Sequence, residues 1–224
     1  MAVDVSRKGP EKIMKHEEKR PVPAGVLWTE EGVSFSVAVP KGKSCKLCIY
    51  RGNHTKPYRV IQMEEDILYG DIRSSGIQTD IRDGDEYIYE IDGAPYVDPY
   101  AHGIRKYMET EQDGTEVECR RAVLCTPDFE WEHDRPLDLP DEDVIAYSLH
   151  VRGFTKGQSS RVKNKGTFAG IIEKIPYFQE LGINQIQCMP VYEFEDRIRF
   201  VSNYWGYGEA YCFAPKKRYG KGNP

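Results

Sequence analysis

The residues best suited to metal or redox chemistry are Cys45 and Cys48, which form a CxxC pattern. Cysteine pairs of this spacing hold zinc when a second pair of cysteines or histidines accompanies them, and no such pair follows here. The two cysteines also lie in a run with strand character, where residues three apart point to opposite faces. We therefore predict no metal site and no cofactor, and we expect the six cysteines to be reduced thiols.

Charged residues near the end of the chain are a second group that could act on a ligand. We interpret Glu193, Glu195, Asp196 and Glu209 as solvated loop charges. The cluster Lys216-Lys217-Arg218 is interpreted in the same way, as a solvated turn, because runs of like charge usually face water.

Alternating apolar residues between turn signals predict that residues 23–108 form antiparallel strands. The runs are 33–39, 45–50, 58–63 and 85–91. The last run ends at Asp92-Gly93, a dipeptide that favours a tight hairpin. Short strands of this kind predict an immunoglobulin-like β-sandwich.

The pattern changes after residue 143. It predicts a strand over 144–151, a polar loop, a helix over 167–181 and a second strand over 183–189. A helix between two buried strands is the unit of parallel sheets.

Capping residues define the ends of the predicted helix. Thr167 is placed to cap its first turn, and Gly182 is placed to end it. Pro176 predicts either a kink or a second short helix that begins there. The chain outside these regions is predicted to be a flexible leader at 1–22 and a linker at 109–142.

Composition argues against two classes of partner. The net charge of −5 and the pI of about 5.6 do not favour nucleic acid, because phosphate binding needs a basic surface. No apolar run reaches the roughly 18 residues that cross a bilayer, so no membrane partner is predicted. The charged amino end lacks the apolar stretch of a secretory signal, which predicts a cytoplasmic location.

Four segments in order resemble glycoside hydrolase family 13, the α-amylase family, and especially its glycogen-debranching, isoamylase and pullulanase branch. They are Val144 to Thr155 with His150-Val151-Arg152-Gly153-Phe154, Gly166 to Asn184, Met189-Pro190-Val191-Tyr192-Glu193-Phe194, and Asn203-Tyr204-Trp205-Gly206-Tyr207 running on to Gly220. The earlier half is similar to the family 48 carbohydrate-binding module, through Pro23 to Trp28, Glu31 to Phe35, Tyr87 to Gly93 and Asp98 to Ala101.

This resemblance implies a fold and a limit on activity. Residues 143–224 would be the first βαβ portion of a (β/α)8 TIM barrel, incomplete because a whole barrel takes about 250 residues. In the family, the nucleophile and the acid follow the fourth and fifth barrel strands. The resemblance therefore implies that no catalytic residue lies in this chain and that the chain alone is inactive.

The resemblance also implies a binding role for two aromatic residues. Tyr207 matches the ring that stacks on the glucose unit next to the cleaved bond, and Trp205 lies in the same loop. A tyrosine ring suits the apolar face of a sugar and leaves its hydroxyl free to hydrogen-bond. The alternative is that the loop, and Trp205 above all, packs against the strand ends.

Other residues allow two interpretations each. His150 and Arg152 follow a strand at the end where barrel enzymes bind substrate, but a histidine and an arginine at such a place more commonly brace loops through hydrogen bonds. Aromatic residues of the sandwich either form a glucan platform or fill the core. These residues are Trp28, Tyr50, Tyr58, Tyr87 and Tyr89.

The expected parent protein is a hydrolase that cleaves α-1,6 branch links in α-glucans such as glycogen, starch and maltooligosaccharides. An α-1,4-acting amylase or a branching enzyme shares the same barrel, and a stand-alone glucan-binding module remains a third alternative.

Overall fold

The computed structural model describes residues 24–52, 54–66, 70–111, 113–127, 129–198 and 200–220. The predicted leader, residues 1–22, lies outside the described residues.

The first part of the chain is built of antiparallel strands. They are β1 (Gly25–Trp28), β2 (Val33–Ala38), β3 (Cys45–Tyr50), β4 (Arg59–Gln62), β5 (Glu64–Glu65), β6 (Ile72–Gln78), β7 (Glu86–Ile91), β8 (Ala94–Tyr96), β9 (Gly103–Thr110) and β10 (Glu116–Val123). One sheet has the order β1-β2-β6-β5, and the other has the order β4-β3-β7-β10-β9, with β8 paired to β7. The prediction of antiparallel strands in this region is confirmed.

Alternate residues of the two sheets meet in one core. Val33, Phe35 and Val37 point inward from β2 and pack with Leu47 and Ile49 of β3. The ring of Phe35 meets the ring of Tyr87 edge to face, with 5.0 Å between centroids. The period of two in the sequence thus places every second side chain between the sheets.

The predicted hairpin forms at Asp92-Gly93. Both residues have positive φ, 49° and 83°, as a two-residue hairpin of the favoured type requires. Ile91 and Ala94 pair across it, and the Asp92 carboxylate accepts hydrogen bonds from Lys43 and Ser44. This turn fixes the register of β7 and β8.

The prediction of a linker over 109–142 was wrong for its first part. Strand β10 pairs with β9 along eight residues and with β7 at Ala122 and Val123. The sequence hides these strands because long charged side chains, such as Arg105 and Arg121, occupy positions where an apolar residue would have signalled a strand. The second sheet therefore extends through Val123.

The later part contains a parallel strand pair and three short helices. The elements are β11 (Ala146–Leu149), α1 (Val151–Lys156), α2 (Phe168–Ile172), α3 (Ile175–Glu180) and β12 (Gln185–Cys188). Strands β11 and β12 are parallel, with Leu149 opposite Cys188. The predicted order of strand, helix and parallel strand is confirmed.

The predicted helix is divided in two. The hydroxyl of Thr167 accepts a hydrogen bond from the Gly170 amide and caps α2, while Pro176 lies in the first turn of α3. Gly182 follows α3 with φ of 74°, as expected for a helix stop. The second short helix was one of the two outcomes that Pro176 predicted.

Helix α1 was not predicted. His150 caps it through its ring, where sequence reasoning looks for serine, threonine, aspartate or asparagine, and glycine lies within it at position 153. The segment was therefore interpreted as a loop.

The remaining strands connect the two parts. They are β13 (Tyr192–Phe194), β14 (Arg197–Ile198), β15 (Val201–Ser202) and β16 (Ala210–Pro215). Strand β16 pairs with β13, and its Ala214 is buried in the core of the two sheets with Tyr211 packed beside it. Among the described residues, no helix is long and apolar enough to span a membrane.

Candidate functional site

An aromatic loop, residues 203–207, lies against the carboxyl end of β11. The rings of His150 and Tyr204 are parallel, with centroids 4.5 Å apart, and Trp205 meets the His150 ring edge to face at 5.9 Å. A Cβ at residue 153 would lie 2.6 Å from the Tyr204 hydroxyl oxygen, so the glycine there gives this hydroxyl room.

His150 uses one ring nitrogen to cap α1 and the other to hold this loop. The Gly153 amide donates to Nδ1 at 2.9 Å, so Nδ1 carries no proton, and Nε2 lies 2.8 Å from the Tyr204 carbonyl oxygen as its donor. The ring is buried. The arrangement fits the bracing interpretation of His150 and leaves neither nitrogen free for a ligand.

Asn203 closes the loop on itself. Its side-chain amide donates to the carbonyl oxygens of Tyr207 at 2.9 Å and Glu195 at 3.0 Å, and its side-chain oxygen accepts from the Gly206 amide. An asparagine satisfies both kinds of backbone group at once. This side chain therefore sets the path of the backbone between residues 203 and 207.

Gly206 allows the loop to lie close to β13. Its φ is 85°, and a Cβ at this position would lie 2.5 Å from Cε1 of Phe194. The sequence analysis included Asn203 and Gly206 in the aromatic motif but gave neither residue a role. A glycine between aromatic residues was the available signal of a close backbone approach.

The two predicted binding residues lie on the outside of the loop. Trp205 is 53% exposed and Tyr207 is 60% exposed. Rings that remain this exposed on a loop held by hydrogen bonds offer flat apolar surface to a ligand. Arg152 lines a cavity of about 110 Å³ together with Asn203 and Tyr204 of the loop.

Two charged residues near the aromatic loop are buried, although the sequence predicted that they would be solvated. Lys216 is 1% exposed, and Glu193 is also buried. Lys216 Nζ lies 2.9 Å from Glu193 Oε1 and donates to the carbonyl oxygen of Phe194 at 2.7 Å. The interpretations of Glu193 as a solvated charge and of Lys216 as part of a solvated turn were therefore wrong.

The sandwich aromatics do not form a common platform. Tyr87 and Tyr89 are core residues whose hydroxyls donate to the buried Asp98 carboxyl at 2.7 and 3.5 Å. Burial raises the pKa of both tyrosines and of Asp98. The platform interpretation is wrong for these two tyrosines, because a sugar cannot reach them.

The other three aromatics have different surroundings. Tyr50 is buried under the guanidinium of Arg121, with 3.6 Å from its carbon to the ring centroid. Tyr58 is exposed and hydrogen-bonded to Asp85, and Trp28 donates to the Cys125 carbonyl oxygen.

The CxxC cysteines are both buried in the sandwich. Cys45 belongs to the core, where burial raises its pKa to about 11, and burial also raises the pKa of Cys48. A raised pKa disfavours the thiolate, the form that binds metals. Within the described part of the chain, no group of three or more histidine, cysteine, aspartate or glutamate residues could hold a metal ion.

Over most of its length the chain is similar in sequence to isoamylases and to a glycogen debranching enzyme. The chain is 31% identical over 229 residues to isoamylase 1, chloroplastic, of Oryza sativa subsp. japonica, an alignment that covers 90% of this chain and 28% of that protein. It is 29% identical over 245 residues to the glycogen debranching enzyme of Erwinia tasmaniensis, covering 95% of this chain and 36% of that enzyme.

A solved structure shows the same fold. Pullulanase type I from Bacillus subtilis, crystallised with maltose, superposes with a TM-score of 0.70 at 22% identity, covering 91% of this chain and 29% of the pullulanase. No family model matches the chain. The chain thus spans about a third or less of the length of the proteins to which it is similar.

Proposed function

We propose that this chain is part of a glycoside hydrolase of the α-amylase family that cleaves α-1,6 branch links in α-glucans such as glycogen and starch. The observation that carries the proposal is the aromatic loop. It is held rigidly at the carboxyl end of a parallel strand and exposes Trp205 and Tyr207, in a chain similar to an isoamylase over 90% of its length.

The two parts of the chain have separate proposed identities. We infer that the two antiparallel sheets are an immunoglobulin-like carbohydrate-binding module of family 48, and that β11 to β12 are the opening unit of a (β/α)8 barrel. The shared core of the two sheets and the parallel register of Leu149 with Cys188 support these assignments.

Tyr207 is the proposed stacking residue for a glucose ring, with Trp205 beside it. A ring that is 60% exposed presents one face to a sugar without loss of packing. The fixed backbone on either side of Gly206 reduces the conformational entropy lost on binding.

The carboxylates near the loop are not proposed as catalytic. Glu193 is paired with Lys216, Glu195 with Arg120 at 2.6 Å, and Asp196 with Arg218 at 2.9 Å. A nucleophile and acid must both point at the sugar between them, and these groups point at cations instead. We therefore expect the chain to bind α-glucan without cleaving it, in a reducing cytoplasmic setting that suits its free cysteines.

Affinity electrophoresis in gels that contain glycogen tests this proposal. We expect glycogen to retard the chain, Tyr207→Ala to abolish most of the retardation and Tyr207→Phe to preserve it. Tyr177→Ala is the matched control, because Tyr177 is also an exposed tyrosine but belongs to α3 and not to the loop. Unchanged mobility of the unsubstituted chain, or release of reducing ends from glycogen by the chain alone, would contradict the proposal.

A further inference from the structure

Residues 193–196 are termed the acidic segment. They run from β13 to the hairpin of β14 and β15, which precedes the aromatic loop. Their side chains face cations. Lys216 Nζ contacts three acceptors in this segment: Glu193 Oε1 at 2.9 Å, the Phe194 carbonyl oxygen at 2.7 Å and Asp196 Oδ1 at 3.2 Å. Three acceptors satisfy all the donors of an ammonium group, as its burial demands.

The backbone of the acidic segment is hydrogen-bonded to the aromatic loop. The backbone amide of Asn203 donates to the carbonyl oxygen of Asp196 at 2.8 Å, and its side-chain amide donates to the carbonyl oxygen of Glu195. Gly206 rests on the Phe194 ring, and the Lys216 ammonium lies 4.1 Å from the centroid of that ring. Phe194 and Asp196 thus contact both Lys216 and the loop, and Glu195, which lies between them, contacts the loop as well.

The sandwich supplies two more cations to the same segment. Lys106 of β9 lies 3.5 Å from Glu193 and 3.9 Å from Asp196, and Arg120 of β10 lies 2.6 Å from Glu195. The two parts of the chain therefore meet through charge at the base of the aromatic loop.

We propose that Lys216 is a positioning residue that sets the place of Trp205 and Tyr207 through the acidic segment, and that Lys106 and Arg120 link this position to the sandwich. The claim about glucan affinity rests on the proposed function; the claim about loop position does not. Without the ammonium, Glu193 would be a buried carboxylate with a single weaker ionic partner, and the segment would have to move toward water to hydrate it.

Lys216→Met tests the proposal in the 224-residue chain labelled with 5-fluorotryptophan. The chain has three tryptophans, Trp28, Trp131 and Trp205. We expect three ¹⁹F resonances, which single Trp→Phe variants assign. We expect Lys216→Met to shift or broaden the Trp205 resonance and to leave the Trp28 resonance, which reports on the sandwich, unchanged.

Lys217→Met is the matched control, since the Lys217 side chain is exposed and only its backbone amide contacts Glu193. We expect Lys106→Met and Arg120→Met to move the Trp205 resonance as well. In a maltotetraose titration, we expect Lys216→Met to bind about tenfold more weakly than the unsubstituted chain, because small displacements of binding groups have large effects.

A second variant covers the case in which Lys216→Met does not fold. Glu193→Gln combined with Lys216→Met removes both buried charges, and we expect it to fold with the Trp205 resonance still displaced. A Trp205 resonance identical to that of the unsubstituted chain in the folded variant would overturn the proposal. If the unsubstituted chain fails to bind maltotetraose, the proposed function fails, while the Trp205 resonance still decides the role of Lys216.

Discussion

His150 Nε2 lies 2.8 Å from the backbone oxygen of Tyr204, and the two rings stack 4.5 Å apart. One side chain thus caps α1 and also holds the aromatic loop, 54 residues later in the chain. The end of β11 and the candidate binding loop consequently form one rigid unit.

Replacing His150 with phenylalanine is expected to keep the stacking and to remove both hydrogen bonds. Leaving the Gly153 amide and the Tyr204 carbonyl without their partner should lower the free energy of unfolding by about 1–3 kcal/mol. Urea denaturation measures this loss. His133→Phe, at an exposed histidine, should change the same quantity by less than about 0.5 kcal/mol.

Gly206 and Gly182 share a positive φ but differ in their surroundings. A Cβ at Gly206 would overlap the Phe194 ring, whereas nothing lies within 4 Å of a Cβ at Gly182. We expect Gly182→Ala to destabilise the chain by about 1–2 kcal/mol through backbone strain alone. Gly206→Ala should add about 1–3 kcal/mol from the overlap. Equal unfolding free energies for the two variants would show that the loop does not press on Phe194.

The two core tyrosines differ in their distance from Asp98. Tyr87→Phe removes the 2.7 Å hydrogen bond and should reduce the unfolding free energy by about 1–3 kcal/mol. Tyr89→Phe removes only the 3.5 Å contact and should have a smaller effect. Thermal melts of both variants measure the ranking, and a larger loss for Tyr89→Phe would contradict the geometry.

Asp85 gives the sandwich a dependence on pH. Burial acts to raise its pKa, but hydrogen bonds from Arg51, the Arg82 amide and Tyr58 outweigh it, so the pKa is lowered from its ordinary value. A lowered pKa in the folded state means that the carboxylate stabilises the fold above the ordinary pKa of about 3.9. That stability is lost as pH falls through the folded value.

Asp85→Asn tests this dependence. The variant should melt at a lower temperature than the unsubstituted chain at pH 7, and the difference should shrink as the pH falls below about 4. Melting temperatures across this range provide the measurement. A difference that stays constant down to pH 2.5 would exclude Asp85 as the titrating group.

Local signals in the sequence were sufficient where neighbouring residues determine the structure. The hairpin pair Asp92-Gly93 and the cap at Thr167 each depend on contacts within a few residues, and each formed as predicted. The exposure of Trp205 and Tyr207 agrees with the expected binding role, which stays a prediction.

Long-range pairing explains what was missed. Lys216 is buried because Glu193 lies 23 residues away in sequence and 2.9 Å away in space, a relationship that a run of basic residues does not reveal. Strand β10 carries Arg120 and Arg121 because the acidic segment and Glu86 neutralise them. A charged residue can therefore be buried when the fold gives it a partner of opposite charge, and the sequence alone does not reveal that partner.

The small side chain of Ala214 has a practical consequence for engineering. Strand β16 belongs to the later part of the chain, yet this methyl group completes the hydrophobic interior between the two sheets. A chimera that exchanges the sandwich for that of a related enzyme would have to match the new interior to Ala214 and to Tyr211 beside it. A junction placed only between residues 124 and 142 would keep the original Ala214 against a sandwich interior that had been exchanged.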